Sequence, residues 1–179
     1  MFFLFFTFPA MAGMKTLVLV RHAKSSWDDF SLSDFERPLN ERGKRDAPMM
    51  ARRIKSALLV PDALVSSSAI RARKTAEAFA RELGMDGSAI RLTEALYLAS
   101  PDTIGRVVSS LDDQHQTVAI FAHNPGITDF ANQLGVARID DMPTCAVYAV
   151  SATVDHWLDF LDGAKSFRYF DYPKNPAQG

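Results

Sequence analysis

Short apolar runs alternate with longer stretches in which apolar residues recur at helical spacing. Thr16-Leu17-Val18-Leu19-Val20 is continuous and β-branched, so Lys15 to Val20 reads as a buried strand. Residues 24–39 are polar with scattered Trp27, Phe30 and Phe35, and read as a loop. Asn40 is suited to cap a helix from about Glu41 to Leu58, in which Ala47, Met50, Ile54 and Leu58 share a face away from Arg52, Arg53 and Lys55. Pro48 inside that pattern predicts a kink or a later true start. Ala63-Leu64-Val65 reads as a short strand that runs into Ser66-Ser67-Ser68, a cluster suited to capping the next helix. That helix carries Ala72, Ala76, Phe79 and Leu83 on one face and stops at Gly84. Ser100-Pro101-Asp102 opens another, with Ile104, Val107, Val108 and Leu111 as its stripe. Thr117 to Ala122 is a second buried strand, closed by His123-Asn124-Pro125-Gly126 and followed by a helix from about Ile127 to Leu134. Residues 145–151 and Ser166 to Phe170 read as further strands, and Pro173 to Gly179 as a frayed tail. The alternation predicts a three-layer α/β/α sandwich with a mostly parallel central sheet.

Composition narrows the class. A chain of 179 residues with 47% apolar and 23% charged residues predicts one soluble globular domain, residues 14–179. A net charge of −1 gives no support for a nucleic-acid or membrane partner. With Cys145 as its single cysteine, the chain has no intrachain disulfide and no thiolate-rich metal site, which fits a reducing cytoplasm. Residues 1–13 stand apart. They are apolar and end in Ala10-Met11-Ala12, which resembles a signal-peptidase site, but no Lys or Arg precedes the run and it is short for a signal peptide. The expectation is an upstream start with translation beginning at Met14, or else a weak targeting segment; as a helix it is too short to span a bilayer.

Polar groups suited to phosphate sit where strands end or helices begin: Arg21-His22 with Ser25 nearby, Arg71 after the serine cluster, and His123-Asn124. In a parallel sheet these ends share one edge, where open α/β sheets bind ligands. Two guanidiniums and two imidazoles there would form an anion trap, since the Arg fork matches phosphate oxygens. A neutral imidazole fixed at a strand end can attack phosphorus, and the protein's own cations would neutralise the transferred group, so no metal or cofactor is expected. Each residue also has an ordinary reading. An Arg-His pair is commonly a surface pair, Arg71 a solvated charge, His123 and Asn124 turn residues, and Ser25 a loop hydrogen-bonder. His115 and His156 sit in polar contexts and read as surface residues, and Cys145 as inert core. Trp27 and Tyr97 either line a pocket mouth or simply pack. Arg42, Lys44, Arg45, Arg52 and Arg53 read as a solvated face or as an attractor for an acidic protein.

Three blocks, in order, resemble the histidine phosphatase superfamily (phosphoglycerate mutase-like), and within it the SixA-like phosphohistidine phosphatases. The first is Arg21-His22-Ala23-Lys24-Ser25-Ser26-Trp27-Asp28 with Arg37-Pro38-Leu39-Asn40-Glu41-Arg42-Gly43. The second is Ser66 to Glu77, and the third Phe121-Ala122-His123-Asn124-Pro125-Gly126. The resemblance implies the histidine phosphatase fold, His22 as phosphorylated nucleophile, and Arg21, Arg71 and His123 as ligands of the phosphoryl oxygens. It leaves the acid open: Glu94 is the first candidate and Asp28 the second. Ser25, Asn124 and Asp28 are candidate substrate contacts. Ser68 stands where that branch usually has Pro, and Lys74 where Gln is frequent. The implied activity is removal of phosphate from phosphohistidine on a signalling or phosphotransfer protein by a monomer or weak dimer. A small phosphate ester is the alternative substrate, and a phosphate-binding module without turnover the alternative from another class.

Overall fold

The first strand, β1 (Met14–Arg21), is buried on both faces, and its alternation feeds two cores. Leu17 and Leu19 pack into one, Val18 and Val20 into the other, and all four are 0% exposed. A strand clothed on both sides is what a central position in an α/β sheet requires. The computed structural model describes residues 13–175. After β1 come α1 (Glu41–Ser56), β2 (Ala63–Ser67), α2 (Ile70–Leu83), β3 (Ile90–Thr93), α3 (Pro101–Ser109), β4 (Thr117–Ala122), α4 (Gly126–Gln133), β5 (Val147–Thr153) and β6 (Lys165–Asp171). The sheet order is β3-β2-β4-β1-β5-β6. The run from β3 to β1 is parallel, while β5 and β6 add to it antiparallel.

Helices cover both faces, which completes the three layers. Met50 and Ile54 of α1 and Phe79 of α2 pack with Val18, Val20 and Phe121. Ile104 and Val108 of α3 and Ile127 and Phe130 of α4 pack with Leu17, Leu19 and Ile120 on the other side. Among the described residues no helix is long and apolar enough to cross a membrane. The expectations for the N-terminal extension and the end of the tail fall on residues 1–12 and 176–179, outside those described.

Several local expectations are corrected. The helix does not restart at Pro48: α1 runs from Glu41, because the Asn40 side chain accepts from the Gly43 N–H at 2.9 Å and caps it there. Ser66–Ser68 is not the cap of α2. Ser66 and Ser67 stay in β2, where Ser67 pairs with Thr93 of β3, and the cap position falls on Ala69 with no side-chain cap. Cys145 does not begin β5. It takes a left-handed φ of 64°, and its N–H is shared between the carbonyls of Arg21 and His22, 3.1 Å from each. The loop 24–39 contains a short 3-10 turn at Asp34–Glu36 that bears on the site. The αL stop at Gly84, the Ser100 cap with Pro101 behind it, and β4 at Thr117–Ala122 form as the pattern predicts.

Two glycines let backbone segments meet at the functional edge. A Cβ on Gly43 would lie 2.2 Å from the Lys24 carbonyl oxygen, and one on Gly126 would lie 1.8 Å from that of Ala99. Gly43→Ala and Gly126→Ala are each expected to lower stability by about 2 kcal/mol or more through forced backbone displacement. Gly87→Ala, where a Cβ meets nothing within 4 Å, should stay within roughly 0.5 kcal/mol of wild type. Urea unfolding midpoints of the three variants check the ranking.

Candidate active site

Strand register brings the distant motifs together. Arg21 of β1 lies opposite Ala122 of β4, and Ser66 of β2 opposite Phe121. The residues just past these pairs, His22, His123 and Ser67, therefore share the carboxyl edge of the parallel strands, where His22 N–H donates to the Ala122 carbonyl at 3.1 Å. Arg71 reaches the same point as the second residue of α2. The two imidazole centroids are 5.0 Å apart.

His22 is held in one tautomer. Its Nδ1 sits 2.8 Å from the Ala23 carbonyl oxygen, an acceptor only, so the ring proton resides there. That leaves the Nε2 lone pair to accept from Arg71 Nε at 3.3 Å. The Ala23 amide is itself tied to Thr75 Oγ1 at 3.0 Å, which fixes the backbone carrying the ring. His123 Nε2 is 2.8 Å from Ser67 Oγ, and its Nδ1 is buried without a partner. Ser67 Oγ also accepts from the Ala69 N–H at 3.3 Å, so the serine that does not cap α2 orients the second imidazole.

The guanidinium of Arg71 is 3% exposed and almost fully engaged. Besides His22, its Nη1 donates to the Asp34 carbonyl and its Nη2 to Asp34 Oδ2 at 2.8 Å. The same Oδ2 accepts from the Tyr97 hydroxyl at 2.9 Å. Arg37 holds the other carboxylate oxygen with Nη1 at 2.9 Å, donates from Nη2 to Ser25 Oγ at 2.6 Å, and lies 3.2 Å over the Trp27 ring.

Both imidazoles are neutral near pH 7. Burial holds His22 down at about 3; the bond to the Ala23 carbonyl works against this, and Arg71, Arg21 and Arg37 add to it. Burial, then His22 and Arg71, holds His123 down at about 3 as well. Burial also lowers Arg21, although Asp141 opposes it.

Arg21 donates from Nη1 to the Met142 carbonyl at 2.5 Å, lies 3.5 Å from Asp141, and keeps a buried, unpartnered Nε. Asn124 braces the same segment, donating to Asp141 Oδ1 at 2.5 Å and accepting from Thr128 Oγ1 at 2.8 Å. Ser25 is buried with its hydroxyl on Arg37, and Asp28 is exposed and bonded to Ser26. Glu94 starts a 3-10 turn and is exposed, with no side-chain hydrogen bond or ion pair among the described residues. His115 and His156 lie far from the edge, paired with Asp62 and Asp113. Sequence reasoning missed Asp34, Ser67 as the His123 partner, and Arg37 as the clamp of the loop. The legible signal was the Asp34–Arg37 spacing of three inside a segment read as plain loop. Cavities of about 560 Å³ beside α3 and α4, and about 480 Å³ between α1 and α2, are not lined by His22.

Sequence and structure comparisons converge on one family. The model of the histidine phosphatase superfamily (branch 1) matches residues 17–97. An uncharacterized protein of Mycobacterium tuberculosis is 31% identical over 165 residues, which span 87% of this chain and 100% of that one. A structure assigned to the phosphohistidine phosphatase SixA of Agrobacterium tumefaciens is 25% identical, with a TM-score of 0.71 over 89% of this chain and 98% of that one. The protein histidine phosphatase SixA complexed with tungstate shares the fold at 19% identity, with a TM-score of 0.74 over 88% and 97%. So does mycobacterial glucosyl-3-phosphoglycerate phosphatase, at 16% identity and a TM-score of 0.58 over 89% and 98%. An Arg-His strand end thus faces a second imidazole and a helix-borne arginine, and the chain belongs to the histidine phosphatase superfamily.

The buried rings couple stability to pH. In the unfolded chain both titrate near 6.5, and in the folded protein near 3. Between those values the unfolded state binds more protons, so their contribution is complete above about pH 6.5 and is lost as pH falls toward 3. The expected loss by pH 5 is about 2 kcal/mol per ring. Urea titrations at pH 7.5 and 5 should show a smaller loss in His22→Asn and His123→Asn than in wild type.

Proposed function

We propose that this chain is a single-domain cytoplasmic phosphatase that works without a metal, carries its phosphoryl intermediate on His22, and acts on phosphohistidine of a signalling or phosphotransfer protein. One observation carries the reading: a neutral, buried imidazole has its proton committed to a backbone carbonyl and its Nε2 lone pair turned toward a guanidinium. That is the state a nitrogen nucleophile needs at neutral pH. Nε2 attacks phosphorus as the bond to the leaving group breaks, its electron pair departing with that group. Water then attacks the phosphohistidine and returns the ring.

Arg71 and Arg21 neutralise the equatorial oxygens. The unpartnered Arg21 Nε and His123 Nδ1 are polar atoms that a phosphoryl oxygen would satisfy. For His123 this is the tautomer in which the Ser67 hydroxyl donates to Nε2, leaving the ring proton on Nδ1. A nitrogen-linked phosphoryl group also suits a site in which Glu94 is unengaged, because a protonated imidazole leaves without a strong acid. Fold neighbours such as the glucosyl-3-phosphoglycerate phosphatase keep a small ester as the second reading.

A phosphohistidine-bearing protein and p-nitrophenyl phosphate, each assayed in EDTA with wild type and His22→Ala, test the proposal. The expected result is faster release from phosphohistidine, lost by roughly a thousandfold or more in His22→Ala. Turnover of the ester alone supports the metabolite reading, and phosphate bound without release supports a binding module.

A further inference from the structure

Asp34 puts a negative charge inside a site built to hold a more negative group. The carboxylate bridges Arg37 on Oδ1 with Arg71 and Tyr97 on Oδ2. Burial alone would favour its neutral form, but the Tyr97 hydroxyl, Arg71 and Arg37 outweigh that and hold it below the usual carboxylate range. A carboxylate that did no more than share these cations would weaken the trap by repelling the incoming phosphoryl oxygens. Its side chain is also 42% exposed, against 3% for the Arg71 that it touches. It is therefore open to an approaching substrate, and its two oxygens can accept more than the three side-chain donors they now hold.

Resting on the phosphohistidine reading above, we infer that Asp34 is the specificity residue for a nitrogen-linked phosphoryl group, its carboxylate accepting the N–H on the far nitrogen of the substrate's imidazole ring. One guanidinium touches both His22 Nε2 and Asp34 Oδ2, so the acceptor stands one Arg71 away from the attacking atom. The step balances without an external acid. The His22 Nε2–P bond forms and the substrate P–N bond breaks. The electron pair of that bond returns to the ring nitrogen, the proton on the far nitrogen stays where it is, and neutral imidazole departs. By preferring the protonated ring, the carboxylate favours the form of the substrate that leaves readily. An oxygen ester offers no such N–H and meets Asp34 as a like charge.

The test compares wild type, Asp34→Asn and Asp34→Ser on N-phosphoimidazole and p-nitrophenyl phosphate, with kcat/KM followed from pH 5 to 9 and folding checked by circular dichroism. The expected result is a fall of at least tenfold in the ratio of phosphoimidazole to ester kcat/KM in both variants. The alkaline limb of the phosphoimidazole kcat profile should also move to lower pH, since nothing then favours the protonated ring. Equal losses on both substrates would assign Asp34 to positioning Arg71 alone and overturn the inference, as would unchanged ratios. A wild type that cleaves the ester but not phosphoimidazole would instead overturn the substrate reading, and this inference with it.

Discussion

A guanidinium buried to 3% exposure must find acceptors for its donors, and the site is organised around how Arg71 meets that demand. It does so with one neutral ring nitrogen and two oxygens of a single loop residue, Asp34. Each acceptor is fixed in turn. His22 is held by the Ala23 carbonyl, and the Asp34 carboxylate by Arg37 and Tyr97. The loop between β1 and α1 is thereby locked against α2, although it carries little regular structure of its own.

The sheet supplies the other half of the geometry. Parallel pairing of β1, β4 and β2 places three strand exits side by side, and both imidazoles come from the first residue after a strand. The antiparallel addition of β5 closes the far side. The segment before it turns at Cys145, whose amide binds the carbonyls of Arg21 and His22, while Met142 and Asp141 take the Arg21 guanidinium. Arg21 and Arg71 are thus steadied from opposite flanks of the ring they serve.

Burial and charge act in the same direction on the imidazoles. Removing His22 and His123 from water disfavours their charged forms, and neighbouring guanidiniums disfavour them further. The guanidiniums thus add to burial in keeping both rings neutral. Arginine suits this role because it stays charged where a lysine would give up its proton.

β3 was not legible, because its four residues, Ile90–Thr93, carry no buried apolar run. The order of the other strands and helices, the two-sided burial of β1 and β4, and the positions of Arg21, His22, Arg71 and His123 were legible in the chain. They depend on local periodicity and on residues adjacent to strand ends, which a one-dimensional pattern records. Ser66–Ser68 shows where that stops. A serine cluster before a helix is locally a cap, but pairing of Ser67 with Thr93 on β3 keeps it in the strand and turns its hydroxyl to His123. Glu94, the first candidate acid, is exposed, whereas Asp34, 60 positions earlier in the numbering of the chain, bonds directly to Arg71. Its partners, Arg71 and Tyr97, are 37 and 63 residues away in sequence. Sequence by itself determined which segments form most of the strands and helices and which side chains stand at their ends. Only the tertiary structure decided which charge meets which, because those contacts span loops whose conformation is set by the buried donors they must satisfy.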